Sequence, residues 1–385
     1  MTYLLLSLPF LVLGLVAFSL RVAHTRRYAA LTGIVAVILI VLTIIFDNLM
    51  VRAGLFGYRE ANHLGIWIGA IPIEDLFYPV VAVLLIPALW LTGRPRGLGV
   101  IAVVLSSSRP ISWVNTAFPF GLAYLLSGRG VDWLFILGVL FFLIPYNIAM
   151  YGINDVFDYE SDIRNPRKGG VEGAVVDRRH HSALLWASAL TTIPFLVVLF
   201  AAGTWASAAW LALSVAAVVA YSAPGLRFKE RPGLDAVTSS IHFSSPALVG
   251  ATIAGHSPTA EFWVGVCAFL LWGMASQILG AVQDVRADRE ADLDSIATVL
   301  GARRATRLAT VLYAAAAALV FVLPAPAWIV GTVSLAYVVN AARLWKVTDA
   351  TCEKAHSAWV GFLVLNYITG AVVSMTLISV FLLPR

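Results

Sequence analysis

Four carboxylates fall in the stretch "NDVFDYESD", residues 154–162, directly after an uncharged run from Leu134 to Met150. A second acidic stretch, "QDVRADREADLD", spans 283–294, and together the two hold nine of the 21 acidic residues. Asp155, Asp158 and Asp162 are spaced i, i+3, i+7, and Asp284, Asp288 and Asp292 are spaced i, i+4, i+8, so each set predicts one helix face. Like charges so placed destabilise a helix by about a few tenths of a kcal/mol per pair. At the carboxyl-terminal end of a span the helix dipole adds to the penalty. A hard divalent cation offsets both, and Mg²⁺ typically takes one or two carboxylates plus phosphate oxygens and waters.

Basic residues trail the first acidic stretch: Arg164, Arg167 and Lys168. Arg227 and Lys229 follow in "YSAPGLRFKERPG", 221–233. Guanidinium and ammonium groups there suit diphosphate oxygens. No Walker-type glycine-rich loop is present to cradle a nucleotide. Carboxylates, metal and diphosphate inside an apolar chain point to ionisation of an allylic diphosphate, with the carbocation trapped by a lipid-soluble acceptor.

The elements that must position these groups are membrane helices. The 385 residues are 60% hydrophobic and 12% charged, with a mean hydropathy of +0.87. Too little polar surface remains to cover a water-soluble fold, which predicts an all-α polytopic membrane protein embedded in a lipid bilayer. Twelve apolar segments of about 17 to 25 residues are expected, from 2–20 to 356–382. Of the 26 Lys and Arg, all but Arg52, Arg59, Arg129 and Arg385 fall in alternate loops. The positive-inside rule then puts both termini outside and both aspartate stretches at the cytoplasmic face. The net charge of +5 is accounted for by this topology and needs no nucleic acid. The first segment lacks a basic flank and a small-residue cleavage site, so it reads as a retained helix. Cys267 and Cys352 give neither a disulfide framework nor a metal spacing.

"TGRPRGLG", residues 92–99, breaks helix continuity. It predicts a three-helix unit at 1–93, a linker or interfacial segment at 94–108, and a nine-helix unit at 109–385. The smaller unit carries Glu74 and Asp75 within an apolar run from Leu64 to Trp90. Ionisable groups within a span cost about 2.5 to 3.5 kcal/mol each on insertion scales, so a functional role is the expectation. A buried carboxyl there is suited to proton exchange with a polyene.

From Arg109 to the end, the chain resembles the UbiA superfamily of intramembrane prenyltransferases, on NDxxDxxxD at 154–162, DxxxD at 284–288, Arg109-Pro110 and "YSAPGLRFK". The resemblance implies Mg²⁺ held by Asp155, Asp158, Asp162, Asp284 and Asp288. It implies diphosphate contacts from Asn154, Lys168, Arg227, Lys229, Arg109 and Tyr221. "NDVFDYESDIRNPRKGGVEGAVV" is most similar to the lycopene elongase branch, in which a dimethylallyl cation from dimethylallyl diphosphate is attacked by the terminal double bond of lycopene. Tyr151, Phe157, Tyr221 and Trp272 are then candidates to stabilise the cation through their ring faces. Residues 2–91 resemble the small-subunit lycopene cyclase family at Asp47, Asn48, Glu74 and Asp75, the positions expected to be catalytic. That family works with paired domains, and one is present here, so a second cyclase subunit from another chain is expected. Elongation and cyclisation are expected at separate sites, in a bacterial plasma membrane. Two other readings remain at this stage: an aromatic prenyltransferase of quinone type, and a non-catalytic carotenoid-binding membrane protein.

Overall fold

The computed structural model describes residues 2–21, 26–52, 63–90, 99–159, 176–255 and 257–381, with isolated positions at 54, 57, 58 and 163. The described chain is helical apart from one two-stranded hairpin. It divides into two compact units, Met1–Leu98 with Leu377–Arg385, and Gly99–Thr376.

In the first unit, α1 (Thr2–Arg21) and α2 (Arg26–Arg52) both pack against α3 (Phe77–Trp90). Their outward faces expose leucine, isoleucine and valine, as a lipid-facing surface should. Between α2 and α3 the strands β1 (Trp67–Ile68) and β2 (Ile71–Pro72) pair antiparallel, followed by a 3₁₀ turn at Ile73–Leu76. At the hairpin tip Gly69 has φ 71°, and a Cβ there would lie 2.2 Å from Asn48 Oδ1. Only glycine lets the backbone approach α2 so closely.

The second unit contains α4 (Val100–Ser107), α5 (Val114–Leu126), α6 (Trp133–Leu143), α7 (Pro145–Phe157), α8 (His181–Ala202) and α9 (Trp205–Ser222). It continues with α10 (Leu234–Ile253), α11 (Ala260–Val282), α12 (Val285–Glu290), α13 (Ile296–Val322), α14 (Ala327–Ala342) and, as far as Thr376, α15 (Ala355–Phe381). Helix α10 is the interior element, packed on α5, α9 and α11, and every residue from Ser244 to Ile253 is buried. Gly250 permits this: a Cβ there would meet the Phe120 carbonyl at 2.3 Å.

One core gathers Phe120, Tyr124, Phe141, Phe142 and Tyr146, with ring centroids 4.9 to 5.9 Å apart along Phe141, Phe142 and Tyr146. The other joins α11, α13, α14 and α15 around Ala302, Ala305, Ala309, Tyr313 and Tyr337. Small residues bring α13 close to its neighbours, which is how helices associate where lipid removes the hydrophobic drive.

Eight helices among the described residues are long and apolar enough to cross a bilayer, against the twelve segments expected. The difference has local causes. The stretch 131–153 is interrupted at Ile144-Pro145, between α6 and α7, yet still counts as one of the eight. Helices α3, α5 and α14 are short, and α10 carries Ser, Thr and His on an interior helix, which lowers its hydropathy although it is the most buried. At the α6–α7 break Asn147 Nδ2 donates to the carbonyls of Phe142 (2.8 Å) and Leu143 (3.0 Å), satisfying groups the kink would leave bare in lipid.

Candidate functional site

Helix α7 is aimed by that kink, and Tyr151, Asp155 and Asp158 follow one another along one of its faces at i+4 and i+3. Asp155 is 1% exposed. Its Oδ2 accepts from Ser107 Oγ at 2.6 Å and its Oδ1 from Arg109 Nη2 at 3.0 Å. The Arg109 guanidinium also lies over the Tyr151 ring, 4.3 Å from its centroid. Ser107 closes α4, which packs on α7 and α8. Nothing in the sequence singled out this serine, because a lone Ser in an apolar segment gives no signal until the helix carrying it is folded against Asp155.

Asp158 caps α7 and forms an ion pair with Lys229, on the 3₁₀ turn Phe228–Glu230. Burial pushes the Lys229 ammonium down to about 8, against the opposing pull of Glu230 and Asp155. Arg227 reaches the same region, with Nη1 3.5 Å from the Phe157 carbonyl, but Glu230 grips its guanidinium from two sides, with Nε to Oε2 at 2.7 Å. Glu230 was also missed from sequence. Asn154 Oδ1 accepts from Ser222 Oγ at 2.9 Å, tying α7 to α9. Among the described non-glycine residues only Arg109, Arg227 and Asp292 have positive φ, at 51°, 40° and 52°. Such conformations cost on the order of 1–3 kcal/mol each and cluster at functional sites. Here they fall on two candidate diphosphate-binding arginines and beside the second aspartate motif.

The second motif departs from the sequence expectation. Helix α11 ends at Val282, and Asp284 is the N-cap residue of the separate short helix α12, with Asp288 N donating to Asp284 O at 2.8 Å. Negative charge at the start of a helix is favoured by the dipole, so the penalty expected for a span's carboxyl end applies to Asp155 and Asp158 alone. Asp292 does not continue the face of Asp284 and Asp288, because α12 stops at Glu290 and Asp292 turns left-handed and exposed. Arg289 fixes α12 through Asp349 (2.6 Å) and the Thr298 carbonyl. Two turns before Asp284, Gln277 Nε2 donates to Tyr221 OH at 3.4 Å while its Oε1 accepts from Ser239. These bonds join α11 to α9 and α10. Trp272 lies instead in the second core, stacked on Phe269 and edge-on to Tyr337.

Asp162 and Lys168 lie outside the described residues. No group of three His, Cys, Asp or Glu close enough to hold a metal occurs among the described residues. The donor chemistry nevertheless fits Mg²⁺, which needs one or two carboxylates and takes its remaining oxygens from phosphate and water. Lys229 and Arg109 supply positive charge to Asp158 and Asp155 in this arrangement.

In the first unit, Glu74 and Asp75 lie in the 3₁₀ turn ahead of α3 and not within a helical span. Glu74 is 4% exposed; one oxygen accepts from Leu64 N, and Oε2 has no partner among the described residues. Asp75 accepts from Tyr58 OH, and burial raises it above the usual carboxylate range. Asp47 accepts from Tyr78 OH at 3.2 Å. Asn48 pins the hairpin, donating to the Ile44 and Ile68 carbonyls and accepting from Ala70 N at 2.6 Å.

The UbiA prenyltransferase family profile matches residues 116–368. The chain belongs to the UbiA prenyltransferase family. Residues 1–91 of this UbiA protein match the lycopene cyclase family. It is 68% identical over 280 residues to a lycopene elongase/hydratase of Corynebacterium glutamicum, covering 73% of this chain and 98% of that protein. It is 47% identical over 406 residues to the C(50) beta-cyclic carotenoids biosynthesis protein LbtBC of Dietzia sp., covering 95% and 94%. Among solved structures, a UbiA homolog from Archaeoglobus fulgidus bound to DMAPP and Mg²⁺ has the same fold, with TM-score 0.52 at 18% identity over 69% of this chain and 98% of that one. The apo UbiA homolog from Aeropyrum pernix K1 gives 0.53 at 22% identity with the same coverage.

Proposed function

We propose that this UbiA prenyltransferase transfers dimethylallyl groups from dimethylallyl diphosphate to the two ends of lycopene, and that its first unit is one subunit of a carotenoid end-group cyclase completed by another chain. The observation that carries the reading is the 47% identity to a C(50) carotenoid biosynthesis protein along 95% of the chain, both units included. The 68% identity of the larger unit to a lycopene elongase/hydratase supports the acceptor, and the DMAPP- and Mg²⁺-bound neighbour of the same fold supports the donor.

Asp155, Asp158, Asp284 and Asp288, with Asp162, would hold Mg²⁺, which would supply the positive charge that neutralises the leaving diphosphate. Lys229, released from Asp158, pairs with diphosphate oxygens, and Arg227 and Lys168 add charge around them. Asn154, held by Ser222, orients the same headgroup. The allylic C–O bond breaks, and the terminal double bond of lycopene attacks the cation to form a carbon–carbon bond and a new tertiary cation. Tyr151 and Tyr221 give the cation aromatic walls, and Arg109 holds Asp155 in place while covering Tyr151. Glu74 and Asp75 exchange protons with the carotenoid end group in the cyclase unit. The membrane is the bacterial plasma membrane, with both aspartate motifs at its cytoplasmic face. Purified protein supplied with DMAPP, Mg²⁺ and lycopene tests this: elongated carotenoid supports it, and prenylation of a hydroxybenzoate with lycopene untouched would replace it with the quinone-type reading.

A further inference from the structure

His242 sits in the middle of α10 and is 4% exposed. The backbone carbonyl of Ala217 on α9 lies near its imidazole. A neutral imidazole carries its proton on one nitrogen and keeps a lone pair on the other. Its Nε2 is buried without a hydrogen-bond partner among the described residues. Burying an unpaired polar atom in a helix bundle costs about 1–3 kcal/mol, a cost the fold has no structural reason to carry.

The ring is placed against the reaction region. It meets Tyr221 edge-on, with centroids 5.2 Å apart and planes at 78°. Tyr221 in turn lies within electrostatic range of Arg109 and Tyr151, and its hydroxyl takes the Gln277 amide. Ser239, one turn before His242, holds the other end of that amide at 2.9 Å. The imidazole therefore packs directly on Tyr221, one of the two aromatic walls assigned to the cation, and lies deeper along α10 than Asp235 and Gly233, which begin that helix beside the Lys229 turn.

Resting on the elongase reading, we propose that His242 Nε2 is the base that ends the reaction by taking a proton from a carbon beside the new tertiary cation. The C–H bond breaks, its electron pair becomes a carbon–carbon double bond, and the proton moves to the imidazole. The imidazolium passes it to the departing diphosphate or to water before the next turnover. His242 thereby sets the fate of the cation: alkene by proton loss, in place of alcohol by water capture. An alkene end group is also what an acid such as Glu74 can protonate.

The test compares wild type with His242→Gln and His242→Phe, using DMAPP and lycopene, and reads by mass the ratio of alkene product to the product heavier by one water. That ratio is independent of how much protein folds and of the overall rate. A positioned general base contributes about 10²–10⁴-fold, so the alkene share is expected to fall by at least about 10-fold in both variants. An unchanged ratio in both variants, or a wild type that releases only the alcohol, would overturn the proposal. A wild type that makes no elongated carotenoid of either kind would instead remove the elongase reading itself.

Discussion

Ser107→Ala removes one hydroxyl from a position no motif marks, and the geometry fixes what it should cost. Ser107 is fully buried and gives Asp155 Oδ2 its 2.6 Å hydrogen bond, while Arg109 Nη2 donates to Oδ1. A hydrogen bond to a charged group contributes about 1.5–3 kcal/mol. The carboxylate keeps its arginine but gains freedom to rotate away from the position in which it meets the metal and diphosphate. We expect kcat/KM for DMAPP to fall by about 10- to 100-fold, or roughly 1.4–2.7 kcal/mol. Ser106→Ala is the control: Ser106 is exposed and its hydroxyl bonds, among the described residues, only its own helix at Val103 O, so its effect should stay within about 0.5 kcal/mol. In an Asp155→Asn background the Ser107→Ala change should lose at least about 1 kcal/mol of its effect, because the two side chains act through one bond. The assay is initial-rate product formation from labelled DMAPP in detergent or nanodiscs, with protein amount matched by quantified insertion. Indistinguishable rates for Ser107→Ala and Ser106→Ala, or full additivity with Asp155→Asn, would refute the argument that α4 positions Asp155.

Asp284→Asn is expected to lower elongation at least about 100-fold while leaving the protein inserted in the membrane, as judged by protease protection of its loops. Chelation with EDTA should abolish turnover, and Mg²⁺ should restore it; activity that survives exhaustive chelation would contradict the metal assignment. Glu74→Gln, expressed with a partner cyclase subunit in a lycopene-producing host, should leave acyclic elongated carotenoids to accumulate. Ring formation unaffected by that change, or elongation lost as fully as with Asp284→Asn, would contradict separate roles for the two units.

The chemistry was legible in the sequence where it depends on residue type and local spacing, and illegible where it depends on folding. Asp155 and Asp158 could be read because i, i+3 spacing survives any helix geometry, and the structure seats them beside Lys229 and Arg109. The break between Val282 and Asp284 could not, since no glycine or proline marks it, so Asp292 was aligned to a face that does not exist. Asn147 shows how the α6–α7 kink is tolerated, but Pro145 alone was compatible with an unbroken span. Helix α10 reads as an ordinary apolar segment, and its burial explains why its serines and His242 are polar inside a membrane protein. Ser107 and Glu230 act through partners distant in the chain or on another face of a turn, and nothing short of the fold brings them to notice.

The central claim is most directly tested by a pigment extract, analysed by mass, from a lycopene-producing bacterial host that expresses this chain. The expected result is carotenoids heavier than lycopene by one and by two five-carbon units, at least about 100-fold scarcer when Asp155 is changed to Asn. Unchanged lycopene in cells that contain correctly inserted protein would contradict the account.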